Sequence, residues 1–166
     1  MTLTPDSAIS QLCGANPSQR NARLRKHADY QRAYKASRKQ FSASMTWFLA
    51  QRPDTPPPGL QIARFVGPDD APRVGLTVGK VIGKAHERNR IKRRTREAVR
   101  AHLVELPCGI DLILHPRKQV MTMEFAKLQA EVLRIFRQAA AQVRSQSPQK
   151  NQAGLNTSLN TSPVNK

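Results

Sequence analysis

The amino-acid sequence predicts an α+β fold, a two-layer α/β sandwich with helices packed on one sheet. Two observations carry this. Helical and strand periodicities follow one another in the order helix, three strands, helix, strand, helix. The patterned stretch, roughly residues 21–143 of a 166-residue chain, is long enough for one core and too short for two. Outside it, residues 1–20 are weakly patterned. Residues 144–166 are rich in Ser, Asn, Gln, Thr and Pro and cannot bury enough apolar surface to offset ordering entropy. Both ends read as disordered tails.

The elements follow in order. In HADYQRAYKA, Tyr30, Ala33 and Tyr34 stand at i, i+3 and i+4, which places two aromatic rings on one face of a short helix. From Phe41 to Gln51 the residues alternate, Met45, Trp47 and Leu49 against Ser44, Thr46 and Phe48, as in a strand. A proline-rich connection, RPDTPPPG, precedes a second strand-like run, LQIARFV, and a turn, VGPDDAP, where Asp69 and Asp70 suit tight backbone geometry. RVGLTVG reads as a third strand, with Val74, Leu76 and Val78 on one face and Gly75, Thr77 and Gly79 on the other. Next comes ERNRIKRRTREAVR. On a helical wheel at about 100° per residue, Ile91, Thr95, Ala98, Val99, His102, Leu103 and Leu106 fall on one side, with Arg90, Arg93, Arg96 and Arg100 opposite and Lys92 and Arg94 flanking. A stop at Pro107 to Gly109, a short buried strand IDLILH and a long final helix marked by Phe125, Leu128, Val132, Leu133, Ile135 and Phe136 complete the domain.

Lys and Arg number 28 against 11 acidic residues, a formal charge of +17. That imbalance points to a polyanionic partner. No run of about eighteen apolar residues could span a membrane, and the start lacks the basic-then-apolar order of a secretory signal, so the chain is expected in the cytoplasm. Cys13 and Cys108 are far apart in sequence and form no Cys-x-x-Cys pair, which implies reduced thiols.

The charge is concentrated. Residues 80–100 hold nine Lys or Arg against Glu87 and Glu97, and residues 20–39 hold eight against Asp29. A merely solvated helix face would intersperse acids at i,i+4 spacing, and this one does not. A leucine-zipper basic region is excluded because no leucine heptad follows and Pro107 ends the helix. A folded RNA fits better, since its phosphates accept many Arg contacts and Arg outnumbers Lys six to one from Arg88 to Arg100. Tyr30 and Tyr34, beside the small face of Gly75, Thr77 and Gly79, would make a shallow groove for unpaired bases. The same rings are equally at home in a core, and residue type alone leaves both readings open.

Enzyme chemistry is hard to find. His27, His86, His102 and His115 are not at metal-ligand spacing, and His102 lies on the apolar stripe. No Gly-x-Ser-x-Gly or phosphate-loop pattern occurs, and Asp69 and Asp70, a conceivable nuclease metal pair, sit in a turn sequence. No catalytic, metal-binding or organic-cofactor residues are assigned.

ERNRIKRRTREAVR, preceded by RVGLTVGKVIGKAH and followed by IDLILH, resembles the arginine-rich helix of the bacterial ribonuclease P protein component, and RLRKHADYQRAYKASRKQF resembles that family's first helix. The resemblance covers about residues 21–140. It implies a ribosomal protein S5 domain 2-like fold, with a four-stranded mixed sheet and a strand–helix–strand crossover of the rare left hand. It implies a role as the protein subunit of an endoribonuclease ribonucleoprotein that removes the 5′ leader of precursor tRNA, with hydrolysis carried by the catalytic RNA and its Mg²⁺. Its partners would be that RNA and precursor tRNA, with the protein a monomer within the ribonucleoprotein and higher-order assembly left open. Carried over by position, Lys80, Lys84, Arg88, Asn89, Arg90, Lys92, Arg93, Arg94 and Arg96 would face the catalytic RNA, and Tyr30 and Tyr34, with Thr77, would line the leader groove. Val81 stands where a second lysine is usual, and tyrosines stand where phenylalanine is frequent. A ribosomal-type RNA-binding protein, a stand-alone nuclease and a DNA-binding regulator are the rival functions.

Overall fold

The sheet is built outward from its most apolar strand. The computed structural model describes residues 22–53, 55 and 71–146. In it the helices are α1 (His27–Ala36), α2 (Ala85–His102) and α3 (Phe125–Gln146), and the strands are β1 (Gln40–Phe41), β2 (Met45–Gln51), β3 (Arg73–Leu76) and β4 (Ile110–Pro116). The sheet order is β1-β2-β4-β3. β4 is central because Ile110, Leu112, Ile113 and Leu114 must all leave water, and each is fully buried or nearly so. It pairs antiparallel with β2, Trp47 opposite Leu114, and parallel with β3, Val74 opposite Leu112. The sheet is therefore mixed, and the β3–α2–β4 unit is a crossover between parallel neighbours.

Alternation along the strands sends residues to two faces. On one, Met45, Trp47, Val74, Leu112 and Leu114 meet Ile91 and Ala98 of α2 and Leu128, Val132, Ile135 and Phe136 of α3 in the main core. Each such large side chain, fully buried, contributes about 1.5–3 kcal/mol. On the other, Ala50 and Ile113 pack with Leu24 and Ala33, flanked by Tyr30, Tyr34 and Phe48, so α1 covers that face.

The element order matches the prediction, but its strands are divided differently. The predicted strand from Phe41 to Gln51 is broken into β1 and β2, because Glu131 of α3 takes hold of the turn between them. Its carboxylate accepts the Ser44 N–H at 2.7 Å, the Ser44 hydroxyl at 2.5 Å and the Ser42 hydroxyl. The predicted strand at residues 60–66, the turn with Asp69 and Asp70, and the tails up to residue 21 and from residue 147 lie outside the described residues. α3 runs through Gln146, past the boundary expected after residue 143.

α2 begins where Glu87 turns back to accept the Lys84 N–H at 2.6 Å, and it ends in a 3₁₀ turn, Leu103–Glu105. Gly109 follows at φ 73°, a left-handed conformation that suits glycine, and it reverses the chain into β4. The expectation of reduced thiols is corrected: Cys108 is disulfide-bonded.

Candidate nucleic-acid interface

The cationic face of α2 is rigid because its other side is core. Ile91, Thr95 and Ala98 are fully buried, and the Thr95 hydroxyl is satisfied within the helix by donating to the Ile91 carbonyl at 2.9 Å. Around them Asn89, Arg90, Arg93 and Arg96 are exposed, as are Lys80 and Lys84 in the lead-in to the helix, while Lys92 is half-buried. Arg88 and Arg94 are half-buried too and already hold backbone carbonyls, Arg88 that of Gly83 at 2.5 Å and Arg94 that of Met123. On α2 the one ion pair among the described residues is Arg100 with Glu97 at 3.2 Å, on exposed surface. From Lys80 to Arg96 the cations therefore have no acidic partner among the described residues. Such a surface concentrates anions.

The aromatic groove forms on the opposite face of the sheet. Tyr34 is its centre: its hydroxyl lies 2.7 Å from His115 Nε2 and 3.4 Å from Thr77 Oγ1, and its ring meets Phe48 edge-on with centroids 5.0 Å apart. Tyr30 stands one helical turn earlier, 6.4 Å away between centroids, and its hydroxyl donates to the Leu24 carbonyl at 3.3 Å. Gly75 is what lets Tyr30 lie against β3. A β-carbon there would sit 2.6 Å from the Tyr30 oxygen and 2.8 Å from its ring carbons. All four rings, Tyr30, Tyr34, Phe48 and His115, are half-buried. Burial, aided by the nearby Lys39 charge, holds the His115 imidazole below its ordinary pKa, and burial pushes the Tyr30 phenol above its own.

A buried charge network holds α1 in place over this groove. Asp111 of β4 is fully buried and receives two parallel hydrogen bonds from Arg73, each 2.7 Å. Arg32 of α1 reaches the same carboxylate, and Arg52 Nε lies 3.7 Å from it. Asp29 of α1 closes the network, 3.2 Å from Arg32 and 3.0 Å from Arg73. Burial works against the Arg73 charge, but Asp111 and Asp29 together outweigh it and raise its pKa.

Of the residues predicted to form sites, Tyr30, Tyr34 and Thr77 come together in one groove, and the nine from Lys80 to Arg96 share α2 and its lead-in. The two sets are not one site. Sequence reasoning missed Phe48 and His115, which complete the aromatic cluster, and the Asp29–Asp111 network. The signal for His115 was its parity with Asp111 and Ile113, and for Phe48 its parity with Ala50.

Fold and site define a class: a small, strongly basic α+β protein that sets a cationic helix on one side of a sheet and an aromatic groove on the other. The family model for ribonuclease P matches residues 19–140, and the chain belongs to that family. Among its relatives, the ribonuclease P protein component of Chloroflexus aggregans is 37% identical over 118 residues, covering 70% of this chain and 76% of its own. That of Thermobifida fusca is 32% identical over 146 residues, covering 86% and 92%. Among solved structures, the Staphylococcus aureus RNase P protein superposes with a TM-score of 0.52 at 26% identity, over 69% of this chain and 94% of that one. The Thermotoga maritima RNase P protein shares the fold, with a TM-score of 0.54 at 23% identity, over 70% and 96%.

Proposed function

We propose that this protein is the RNA-binding subunit of a ribonuclease P particle in the cytoplasm, where it assists removal of the 5′ leader from precursor tRNA. In this reading the face from Lys80 to Arg96 neutralises phosphates of the catalytic RNA, and the groove of Tyr30, Tyr34 and Thr77, extended by Phe48 and His115, stacks unpaired leader bases. Holding the leader favours precursor over mature tRNA, since only the precursor carries those nucleotides. Hydrolysis belongs to the RNA and its Mg²⁺. Among the described residues no three His, Cys, Asp or Glu side chains converge, and Asp29 and Asp111 are engaged by arginines.

The observation that carries the reading is the uncompensated arginine face of α2 in a chain that belongs to this family. Reconstitution tests it: the protein is added to the catalytic RNA at low Mg²⁺ and leader release is measured. Stimulation is expected, with an affinity that falls steeply with salt, at a log–log slope of roughly −4 to −8 for about six to nine neutralised phosphates. No stimulation, or a flat salt titration, refutes it. Cleavage by the protein without RNA would point to a stand-alone nuclease instead.

A further inference from the structure

A pocket of about 160 Å³ opens at the outer edge of β3, between the arginine helix and the aromatic groove. Its floor is apolar, made by Leu76 of β3 with Val99 and Leu103 on and just after α2, and Tyr30 forms a wall from the other face of the sheet. Residues 22–24 close the third side, where Arg23 bridges Val74 in parallel and the Leu24 N–H reaches the Val74 carbonyl at 3.2 Å. Three exposed guanidinium groups, Arg23, Arg96 and Arg100, surround the opening. Arg23 and Arg96 make no side-chain hydrogen bond or ion pair among the described residues, and Arg100 meets only Glu97. The charges of Arg23 and Arg96 act on the Tyr30 phenol, though burial has the larger effect on it.

An apolar floor beneath exposed guanidinium groups, two of them without an acidic partner among the described residues, suits a ligand with a flat apolar body and an anionic group. The space matches one ring, since an apolar cavity of about 150 Å³ accepts benzene. A single ring fills it, whereas a fused two-ring base would extend out through the open side. We propose that this pocket receives one unstacked pyrimidine of an RNA strand, its ring on Leu76, Val99 and Leu103 and its phosphate on Arg96 and Arg100. The inference rests on the RNA-binding reading above and adds a size-selective subsite to it. The nucleotide comes either from the leader or from the catalytic RNA, and the chemistry of the pocket is the same for both.

The test begins with the full chain, methyl-labelled for NMR and titrated with uridine 5′-monophosphate, adenosine 5′-monophosphate and inorganic phosphate. The Val99 and Leu103 methyl signals are expected to move with the uridine nucleotide at severalfold lower concentration than with the adenosine one, and not with phosphate. Arg96→Gln with Arg100→Gln, which leaves the core untouched, should weaken uridine nucleotide binding about tenfold, the loss of one charge-assisted contact. Leu103→Phe should fill the floor and abolish it. Equal response to both nucleotides, or none, overturns the proposal. Photo-crosslinking with 4-thiouridine placed in the leader or in the catalytic RNA then identifies the source by attachment near Val99–Leu103, and crosslinks from neither overturn it. The titration needs no cleavage assay. A protein that binds the nucleotide but fails to stimulate leader removal sinks the functional reading alone, and the converse result sinks the pocket alone.

Discussion

Asp111→Ala removes a fully buried carboxylate from the middle of the sheet and leaves Arg73 with Asp29 as its remaining ion-pair partner. Breaking a buried, hydrogen-bonded pair from one side costs about 3–5 kcal/mol, because the other charge stays desolvated. Here the lower part of that range applies to the network, since the Arg32 side chain is 32% exposed and water can take over its lost contact. Domains of this size are stable by roughly 5–15 kcal/mol, so the variant folds but sits near the margin. With a urea m-value of about 1.5 kcal/mol/M, the midpoint should fall by roughly 2 M with m unchanged. The assay is urea unfolding followed by circular dichroism.

Asp29→Asn provides the contrast. It leaves both Arg73–Asp111 hydrogen bonds in place and removes a carboxylate that is 14% exposed, so a loss of about 1 kcal/mol is expected. A fall of less than about 0.5 M for Asp111→Ala, or a larger fall for Asp29→Asn, would refute the claim that Asp111 is the centre of the network. Because α1 contributes Asp29 and Arg32 as well as Tyr30 and Tyr34, the Asp111 variant should also lose discrimination between precursor and mature tRNA at temperatures where it remains folded.

Three further outcomes are expected. Arg90→Ala with Arg93→Ala, both at exposed positions, should reduce the log–log salt slope for catalytic RNA by roughly 1.5–2 while changing stability by less than about 0.5 kcal/mol; an unchanged slope would show that these residues do not meet phosphates. Gly75→Ala drives a β-carbon into Tyr30 and should cost about 1–3 kcal/mol and lower precursor preference, whereas a variant with wild-type preference would show that Tyr30 has no part in the groove. His115, whose folded pKa lies below its ordinary value near 6.5, contributes stability that is fully present above that value and lost as pH falls toward the folded pKa. His115→Gln should flatten this part of the pH–stability curve, and an identical curve for both proteins would refute the assignment.

Much of the fold was legible because it is local. The wheel of α2 separates Ile91, Thr95 and Ala98 from Arg90, Arg93 and Arg96 as the structure does, and the alternation of β3 assigns Val74 to the main core and Gly75 and Thr77 to the groove side. What was not legible depends on partners distant in the chain. The break at Ser42–Ser44 requires Glu131, 87 residues beyond Ser44. Asp111 within IDLILH looks like an anomaly until Arg73 and Arg32, 38 and 79 residues away, neutralise it. The alternation of β2 sets Phe48 opposite Met45 and Trp47 but does not say that its side is covered as well. Here α1 covers the second face, so both parities carry buried residues and alternation loses its meaning.

The placement of the two candidate surfaces on opposite sides of one sheet constrains how RNA can be bound. A strand stacked on Tyr34 cannot reach Arg90 or Arg93 directly, because β2 and β4 and their core lie between. The strand next to both surfaces is β3: residues 22–24 bond to Val74 along its outer side, Gly75 and Thr77 face the groove, and the chain runs on through Lys80 into α2. At that edge Tyr30 and Arg96 line the same pocket, one from each side. Gly75 lets Tyr30 lie against this short strand, because a β-carbon at residue 75 would displace the ring that forms the pocket's wall. On the proposed function, a leader in the groove and a catalytic RNA on α2 would lie on separate faces of the sheet and would meet at the edge of β3.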